Sequence, residues 1–296
     1  MNSGFRTYHE VDELRSDLPD QIAAGDERVS VRLAPVARVI AVMSGKGGVG
    51  KSLVSALVAT ALARRGDRVG LIDADLNGPS VPRLLGIEPG SLAESPDGFA
   101  PPSSRSGVRV MSMAFVVEPD RALTWREPAD AGFVWRGAQE RGALREFLSD
   151  VAWGELDVLL VDLPPGTQRL AELHALVPGL AGIVAVTIPS AASRDAVARS
   201  LDLTRRRRLP ILGLVENLSG VRCEACGALA PLHAGDAGAE LARRFRTPLL
   251  ARLPFDAALG AAADEGRLEG WLAGGGGAAE ALRQMADALR AGSGAP

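Results

Sequence analysis

One stretch of the sequence has the residue types needed to hold a phosphate group. Residues 45–52 read Gly-Lys-Gly-Gly-Val-Gly-Lys-Ser, which matches the pattern G-x-x-x-x-G-K-[ST]. Glycines let backbone N–H groups curl around a phosphate, and the start of a following helix adds its positive dipole end. Lys51 can reach the β- and γ-phosphate oxygens, and the Ser52 hydroxyl can bind Mg²⁺. We call residues 45–52 the phosphate-binding loop.

The neighbouring sequence places this loop between a strand and a helix. An apolar run at 39–43 precedes the loop, and an apolar segment at 53–63 follows it. This context favours a nucleotide site over a flexible glycine hairpin, which would need neither two lysines nor a serine. Because Lys51 suffices to bind phosphate within one chain, Lys46 needs a separate explanation.

Acidic residues follow two further apolar runs that are typical of buried strands. Asp73 and Asp75 follow the first run, and Asp162 ends the second, directly before Pro-Pro-Gly-Thr. The carboxyl ends of parallel strands form the ligand crevice, so we expect these side chains to face the phosphates. Asp162 would hold Mg²⁺ through water, and the proline-fixed loop could sense the γ-phosphate. The alternative role for Asp73 and Asp75 is to cap the turn near Gly78.

The only two cysteines of the chain, Cys223 and Cys226, form a C-x-x-C motif followed by glycine. Such a pair suits Zn²⁺ or an iron–sulfur cluster, but two sulfurs cannot complete four-coordination. His233 could be a third ligand, or a symmetric dimer could offer one pair from each subunit. Thioredoxin-like redox chemistry and incidental cysteines are the competing interpretations. Without an export signal we expect a reducing cytoplasm, which favours a ligand pair over a disulfide.

Composition and element order predict one α/β fold. The chain has 296 residues, of which 47% are hydrophobic and only 4% aromatic, so its core is built from Ala, Val and Leu. Strands and helices alternate without an internal repeat, which predicts a doubly wound, mostly parallel sheet. The net charge of −3 argues against a nucleic-acid partner. The arginine run at 205–208 is interpreted as a solvated helix end, and no apolar run is long enough for a membrane span.

The chain divides into three predicted parts. Residues 1–36 are an N-terminal extension without chemistry, with a short helix starting near 11–14 and an edge strand at 29–33. Residues 37–272 form the nucleotide-binding domain, with the cysteine insertion near 223–226. Residues 273–296 are a glycine tether and a terminal helix, whose modest apolar stripe predicts docking onto the body and not onto a membrane.

Within the central part, further boundaries are predicted. Residues 88–107 form a surface excursion, and residues 116–134 are irregular. A helix then begins near Trp135 and extends to about Val151. A later strand ends at Glu216 and Asn217.

Residues 44–52 resemble the deviant Walker A motif of the ParA, MinD and nitrogenase-iron-protein class of P-loop NTPases, also called SIMIBI. In that class the early lysine, here Lys46, reaches across a dimer to the partner's phosphates. Further segments are similar to the Mrp/ApbC iron–sulfur carrier ATPases, in family order over about residues 37–270. They are Asp-Ala-Asp at 73–75, Gly-Pro-Ser-Val-Pro-Arg at 78–83, Trp-Arg-Gly at 135–137, Asp-Leu-Pro-Pro-Gly-Thr at 162–167, Glu-Asn-Leu-Ser at 216–219, and the C-x-x-C pair. The combination is specific, because MinD-like and ParA-like members lack the cysteine pair.

The resemblance implies a homodimer that binds ATP and Mg²⁺ and carries a bridging [4Fe–4S] cluster from a cluster donor to apo-proteins. The implied catalytic residues are Lys46 acting in trans, Asp75 orienting the attacking water, and Asp73 beside it. The implied nucleotide-binding residues are Gly45, Lys46, Gly47, Gly48, Val49, Gly50, Lys51 and Ser52, with Asn217 at the adenine. The implied metal-binding residues are Ser52 and Asp162 for Mg²⁺, and Cys223 and Cys226 for the cluster.

The sequence departs from the family pattern at a few positions near the nucleotide. Leu53 replaces the usual Thr after the loop serine, and Asn77 replaces a usual Tyr. Gln168 and Arg169 replace the usual Gly-Asp, which exchanges an acid for a cation, and Ile-Pro-Ser at 188–190 replaces Thr-Pro-Gln. These changes bear on the rate of hydrolysis and on the coupling of the nucleotide to the cysteines, not on the Mg²⁺ or cysteine ligands.

Three functions therefore follow from the sequence. An ATP-hydrolysing iron–sulfur cluster carrier is favoured. The second is a Zn²⁺-bridged regulatory dimer that binds nucleotide and hydrolyses little of it. The third is a positioning ATPase of the MinD or ParA kind.

Overall fold

The structure is a computed structural model that describes residues 18–88, 90, 92–116, 132–222, 226 and 228–291, without the side chains of 18–24 and 132–139. Its centre is an eight-stranded sheet in the order β10-β8-β7-β1-β6-β2-β5, in which all neighbours are parallel. The small strand β9 pairs antiparallel with β8. The sheet strands are β1 (Val39–Ser44), β2 (Val69–Asp73), β5 (Arg109–Ser112), β6 (Val158–Asp162), β7 (Gly182–Thr187), β8 (Ile211–Arg222), β9 (Leu229–Ala230) and β10 (Leu249–Phe255).

Ten helices surround the sheet in the described part of the chain. They are α1 (Leu18–Leu33), α2 (Lys51–Ala63), α3 (Val81–Leu84), α4 (Gly132–Ser149), α5 (Gln168–Leu176), α6 (Ala191–Arg206), α7 (Ala237–Phe245), α8 (Ala257–Asp264), α9 (Leu268–Ala273) and α10 (Gly277–Arg290). No helix among the described residues is long and apolar enough to cross a membrane.

The central strands are buried along their whole length, because helices cover both faces of the sheet. One core lies under α2 and α10 and includes Leu57, Leu62 and Met285. The opposite core includes Leu148 and Trp153, and Trp153 donates its indole N–H to the Phe147 carbonyl at 2.9 Å. The predicted doubly wound α/β fold is confirmed, and the phosphate-binding loop lies where β1 meets α2, at the carboxyl edge of the sheet.

The strand predicted at 29–33 is wrong, because these residues form the last turns of α1. Val29 and Leu33 are four residues apart, so they lie on one helix face and join the core beside α4. Arg32 donates to the Ser149 carbonyl at 2.9 Å, which ties the end of α1 to the end of α4. The short helix predicted near 11–14 lies outside the described residues.

Three further boundaries differ from the prediction or refine it. Helix α4 begins at Gly132, before the predicted Trp135. The excursion at 88–107 contains a short antiparallel hairpin of β3 (Ala93–Ser95) and β4 (Gly98–Ala100). Strand β8 does not end at Asn217 but continues to Arg222, because β9 and β10 pair with its extension. The other predicted irregular residues, 117–131, lie outside the described part.

The terminal helix docks onto the body, as its apolar stripe predicted. Its residues Leu282, Met285 and Leu289 are buried in the core beneath α2 and β10. Arg38 also donates to the Leu289 carbonyl. The division of the chain into three parts stays a prediction.

Candidate nucleotide-binding site

The phosphate-binding loop owes its shape to its glycines. Gly48 and Gly50 have φ values of 75° and 78°, a left-handed conformation that glycine adopts without steric cost. A Cβ on Gly45 would lie 2.4 Å from the backbone of Ala196 in α6, so only glycine lets α6 pack this closely. A Cβ on Gly48 would meet nothing within 4 Å, so the loop is open on this side. This shape suits a phosphate held by backbone N–H groups.

The carboxylate of Asp162, at the end of β6, is the polar centre of the site. It is fully buried, and its Oδ2 lies 2.7 Å from Lys51 Nζ. The hydroxyl of Ser52 donates to the same Oδ2 at 2.6 Å. The hydroxyl of Ser55, one turn along α2, donates to Oδ1 at 2.6 Å. A carboxylate and a hydroxyl in contact are hard oxygen donors of the kind that Mg²⁺ prefers, so the residues fit that ion.

Ser55 is a site residue that the sequence interpretation missed. It lies within an apolar run that predicts only a core-packing helix, and it is fully buried. The signal was its spacing, because residues three and four positions apart share one helix face, and Ser55 follows Ser52 by three and Lys51 by four.

Asp73, at the end of β2, plays the capping role that was its alternative interpretation. Its Oδ2 accepts hydrogen bonds from the backbone N–H groups of Ser80 at 2.9 Å and Val81 at 3.0 Å, where α3 begins. It also stands beside Asp162, its register partner on the neighbouring strand. Burial, and then the nearby Asp162 charge, raises the pKa of Asp73 from 3.8 to about 7.

This raised pKa makes the stability of the protein depend on pH. Folded Asp73 keeps its proton to a higher pH than the unfolded chain does, so its contribution is complete below about pH 4 and is lost as pH rises through about 7. For the wild type we expect the free energy of unfolding to fall by roughly 2 kcal/mol between about pH 5 and pH 8. Asp73→Asn keeps an acceptor for the cap but cannot ionise, so this fall should be absent in the variant. Urea unfolding of the wild type and the variant at both pH values measures this free energy.

A matched control for this experiment is Asp256→Asn. Asp256 also caps a helix, accepting from the N–H groups of Ala258 and Leu259 at the start of α8. Asp256→Asn changes a helix cap without touching Asp73, so it separates the general effect of replacing a capping carboxylate from the effect of Asp73. If Asp73→Asn retains the wild-type pH dependence, the pKa of Asp73 is not raised as described above.

Lys46 and Asp75 are half-buried at the same edge of the sheet. The Ser44 hydroxyl donates to the Lys46 carbonyl at 2.9 Å, which fixes the backbone of the loop. The N–H of Asp75 donates to Asp73 Oδ1 at 3.3 Å. The Pro-Pro-Gly segment borders the loop, because the N–H of Gly166 donates to the Ser44 carbonyl at 3.1 Å. The predicted residues thus lie along one edge of the sheet, and their catalytic roles stay predictions.

Asn217 connects β8 to the phosphate-binding loop. Its Nδ2 donates to the Val49 carbonyl at 2.9 Å. A Cβ on Gly50 would lie 2.3 Å from that nitrogen, so glycine is required there for this contact as well as for its φ. The contact places Asn217 against the loop, and its role at the adenine stays a prediction.

The second cysteine of the motif, Cys226, follows the far end of the same strand. Cys226 is exposed and unpaired in the connection between β8 and β9, whereas Cys223 lies outside the described residues. Within the described part of the chain, no group of three or more His, Cys, Asp and Glu side chains could hold a metal ion, so His233 joins no such group there.

The departures from the family pattern at 77, 168 and 169 belong to one polar network. Arg169 is only 12% exposed and forms ion pairs with Glu140 of α4 and Glu172 of α5. Asn77 donates to Glu140 at 3.3 Å, and Gln168 donates to Glu172 at 3.4 Å. The Arg169 guanidinium is therefore matched by two carboxylates.

The chain is similar to a known family and to known proteins over most of its length. A ParA profile described as the NUBPL iron-transfer P-loop NTPase matches residues 35–290. An iron-sulfur cluster carrier protein of Saccharolobus solfataricus is 39% identical over 83% of this chain and 80% of its own length. The human cytosolic Fe-S cluster assembly factor NUBP2 is 40% identical over 79% of this chain and 85% of its own.

Solved structures agree with these matches. A nucleotide-binding protein from Archaeoglobus fulgidus, in complex with ADP, is 37% identical with a TM-score of 0.71, covering 83% of this chain and 93% of that one. The cell division ATPase MinD of Pyrococcus furiosus, at 22% identity and a TM-score of 0.61, covers 86% of this chain and 99% of its own and shares the fold. The family profile covers most of the chain, and the relatives are identical to it at about four tenths of the aligned residues. The chain belongs to the NUBPL family of iron-transfer P-loop NTPases.

Proposed function

We propose that this chain is an ATP-hydrolysing carrier of iron–sulfur clusters. Its cargo is a [4Fe–4S] cluster held between the Cys223 and Cys226 thiolates of two copies and passed from a cluster donor to apo-proteins. The observation that carries the proposal is the path along β8. Asn217 contacts the phosphate-binding loop, and the same strand ends at Arg222, four residues before the exposed Cys226 in the sequence. One strand therefore runs from the phosphate-binding loop toward the thiol that we propose as a cluster ligand.

The nucleotide half of the proposal rests on the loop and on Asp162. The loop N–H groups and Lys51 would hold the phosphates, and Ser52 and Asp162 would hold Mg²⁺, which supplies charge neutralisation when bound. Lys51 would exchange its contact with Asp162 for the phosphate oxygens. Asp75 would orient a water for attack on the γ-phosphate, which releases ADP and phosphate. Lys46 of a second copy would offset the charge that develops in this step.

The cargo half rests on the cysteine pair. Two thiolates from one chain leave two positions of a four-coordinate cluster open, so a second copy completes the site. Cys226 is exposed between β8 and β9, so a second copy and an acceptor protein could both reach it. Relatives named as cytosolic assembly factors support a reducing cytoplasm, where thiols remain available.

The test is anaerobic reconstitution with iron and sulfide. We expect a brown protein with one [4Fe–4S] cluster per two chains and twice the 30.8 kDa monomer mass by light scattering. Cys226→Ala should give a colourless monomer, because one thiolate per chain cannot hold the cluster. The variant should still bind ATP, since Cys226 lies outside the phosphate-binding loop, and this serves as its folding control.

Other outcomes distinguish the alternative functions. A colourless dimer with one zinc ion per two chains would contradict the cluster and support the zinc-bridged regulatory protein. A metal-free dimer that forms on ATP addition and is unchanged by Cys226→Ala would support a positioning ATPase.

A further inference from the structure

We propose that Ser55 is a positioning residue that holds Asp162 in the orientation needed for Mg²⁺. It would fix one carboxylate oxygen, Oδ1, so that the other, Oδ2, stays directed at Ser52. The inference rests on the nucleotide half of the proposed function and goes beyond the residues that the loop motif supplies.

The first support is the hydrogen bond itself. Both side chains are fully buried, and Ser55 Oγ lies 2.6 Å from Asp162 Oδ1. The same hydroxyl lies 3.1 Å from the Lys51 carbonyl. A serine hydroxyl has one proton, and a short bond to a carboxylate is about twice as strong as a bond to a neutral acceptor. Ser55 therefore donates its hydrogen bond to Asp162 and not to the Lys51 carbonyl.

The second support is that the two carboxylate oxygens of Asp162 have different partners. Lys51 and Ser52 both contact Oδ2, and both would change partners when phosphate and Mg²⁺ bind. Among the described side chains, Ser55 alone donates a hydrogen bond to Oδ1. It would remain in place while the other two change partners, so it restricts rotation of the carboxylate throughout the cycle.

The alternative is that Ser55 merely satisfies its hydroxyl on its own helix, as many buried serines do by bonding to the carbonyl four residues earlier. The same helix contains a residue that does this. Thr60 is fully buried, and its hydroxyl donates to the Ala56 carbonyl at 2.8 Å. Thr60→Val is therefore a matched control that removes a buried hydroxyl from α2 without affecting Asp162.

The experiment measures the affinity for a fluorescent ADP analogue with Mg²⁺ and in EDTA. For Ser55→Ala we expect the gain in affinity from Mg²⁺ to fall about tenfold, the effect of losing one charge-assisted hydrogen bond. The affinity in EDTA should be unchanged, because phosphate binding depends on the loop. Thr60→Val should keep the full Mg²⁺ effect. Ser55→Cys keeps a side chain of similar shape but has only a weak donor, so it should show the same loss of the Mg²⁺ effect. This variant provides the test if Ser55→Ala does not fold.

Two results overturn the inference in different ways. If Ser55→Ala and Ser55→Cys both keep the wild-type gain in ADP affinity from Mg²⁺, Ser55 serves only the helix. The proposed function would then stand. A wild type whose ADP affinity does not respond to Mg²⁺ would refute the assignment of Ser52 and Asp162 to the ion, and the role of Ser55 with it.

Discussion

Lys51→Ala is expected to abolish nucleotide binding, raising the Kd for ATP by about 100-fold or more, because a charge-assisted contact to the phosphates is lost. Titration calorimetry measures the Kd. The same change should lower the unfolding free energy by about 3 kcal/mol, since it leaves a fully buried Asp162 carboxylate without its cation. Tight ATP binding by Lys51→Ala would contradict the assignment of residues 45–52 as the phosphate-binding loop.

A double variant separates these two effects. Lys51→Ala with Asp162→Asn removes the unpaired charge along with the lysine, so stability should recover while ATP binding stays absent.

The composition offers an independent readout, because Lys46 and Lys51 are the only lysines in the chain. An amine-directed reagent can label only these two side chains and the N-terminal amine. The Lys51 side chain is only 7% exposed, so the half-buried Lys46 should take up more label, and bound ATP should protect Lys46 in the dimer.

Lys46→Ala is expected to leave ATP binding intact and to slow hydrolysis by about 1,000-fold. A cation supplied in trans to the γ-phosphate contributes on this scale. In the proposed site Lys51 would serve the phosphates of its own chain, which would leave Lys46 to act across a dimer. Steady-state hydrolysis measured against protein concentration should rise with dimer formation in the wild type and stay low in the variant.

Mixing two inactive variants tests the action in trans directly. The Lys51→Ala chain cannot bind ATP but still supplies Lys46, whereas the Lys46→Ala chain binds ATP but lacks the trans cation. An equimolar mixture should therefore regain part of the wild-type turnover. Unchanged turnover in Lys46→Ala alone, or no recovery in the mixture, would contradict the role of Lys46 across the dimer.

The sequence predicted the sheet and the convergence of the phosphate-binding loop with Asp162 at its edge, because both depend on local signals. The apolar run before residue 45 and the carboxylate after the run at 156–161 mark strand ends, and in a parallel sheet such ends converge. The Lys51–Asp162 contact at 2.7 Å follows from this rule, although 110 residues separate Ser52 from the carboxylate that it also binds.

The errors arose where tertiary contacts decide between two local patterns. Residues 29–33 alternate between apolar and polar, which predicts a strand, yet Val29 and Leu33 also fit one helix face. Packing beside α4, more than a hundred residues away, selects the helix and leaves Val31 69% exposed. Glu140 could not be assigned to the Arg169 network from sequence for the same reason, since the partners lie on different helices.

The measurement that tests the central claim most directly is cluster transfer. The reconstituted dimer would be mixed anaerobically with the apo form of a [4Fe–4S] enzyme, with a chelator present to trap free iron. We predict that the acceptor gains enzyme activity while the brown absorbance of this protein falls, and that Cys226→Ala supports no gain. An acceptor that stays inactive beside a fully loaded dimer would contradict the carrier function.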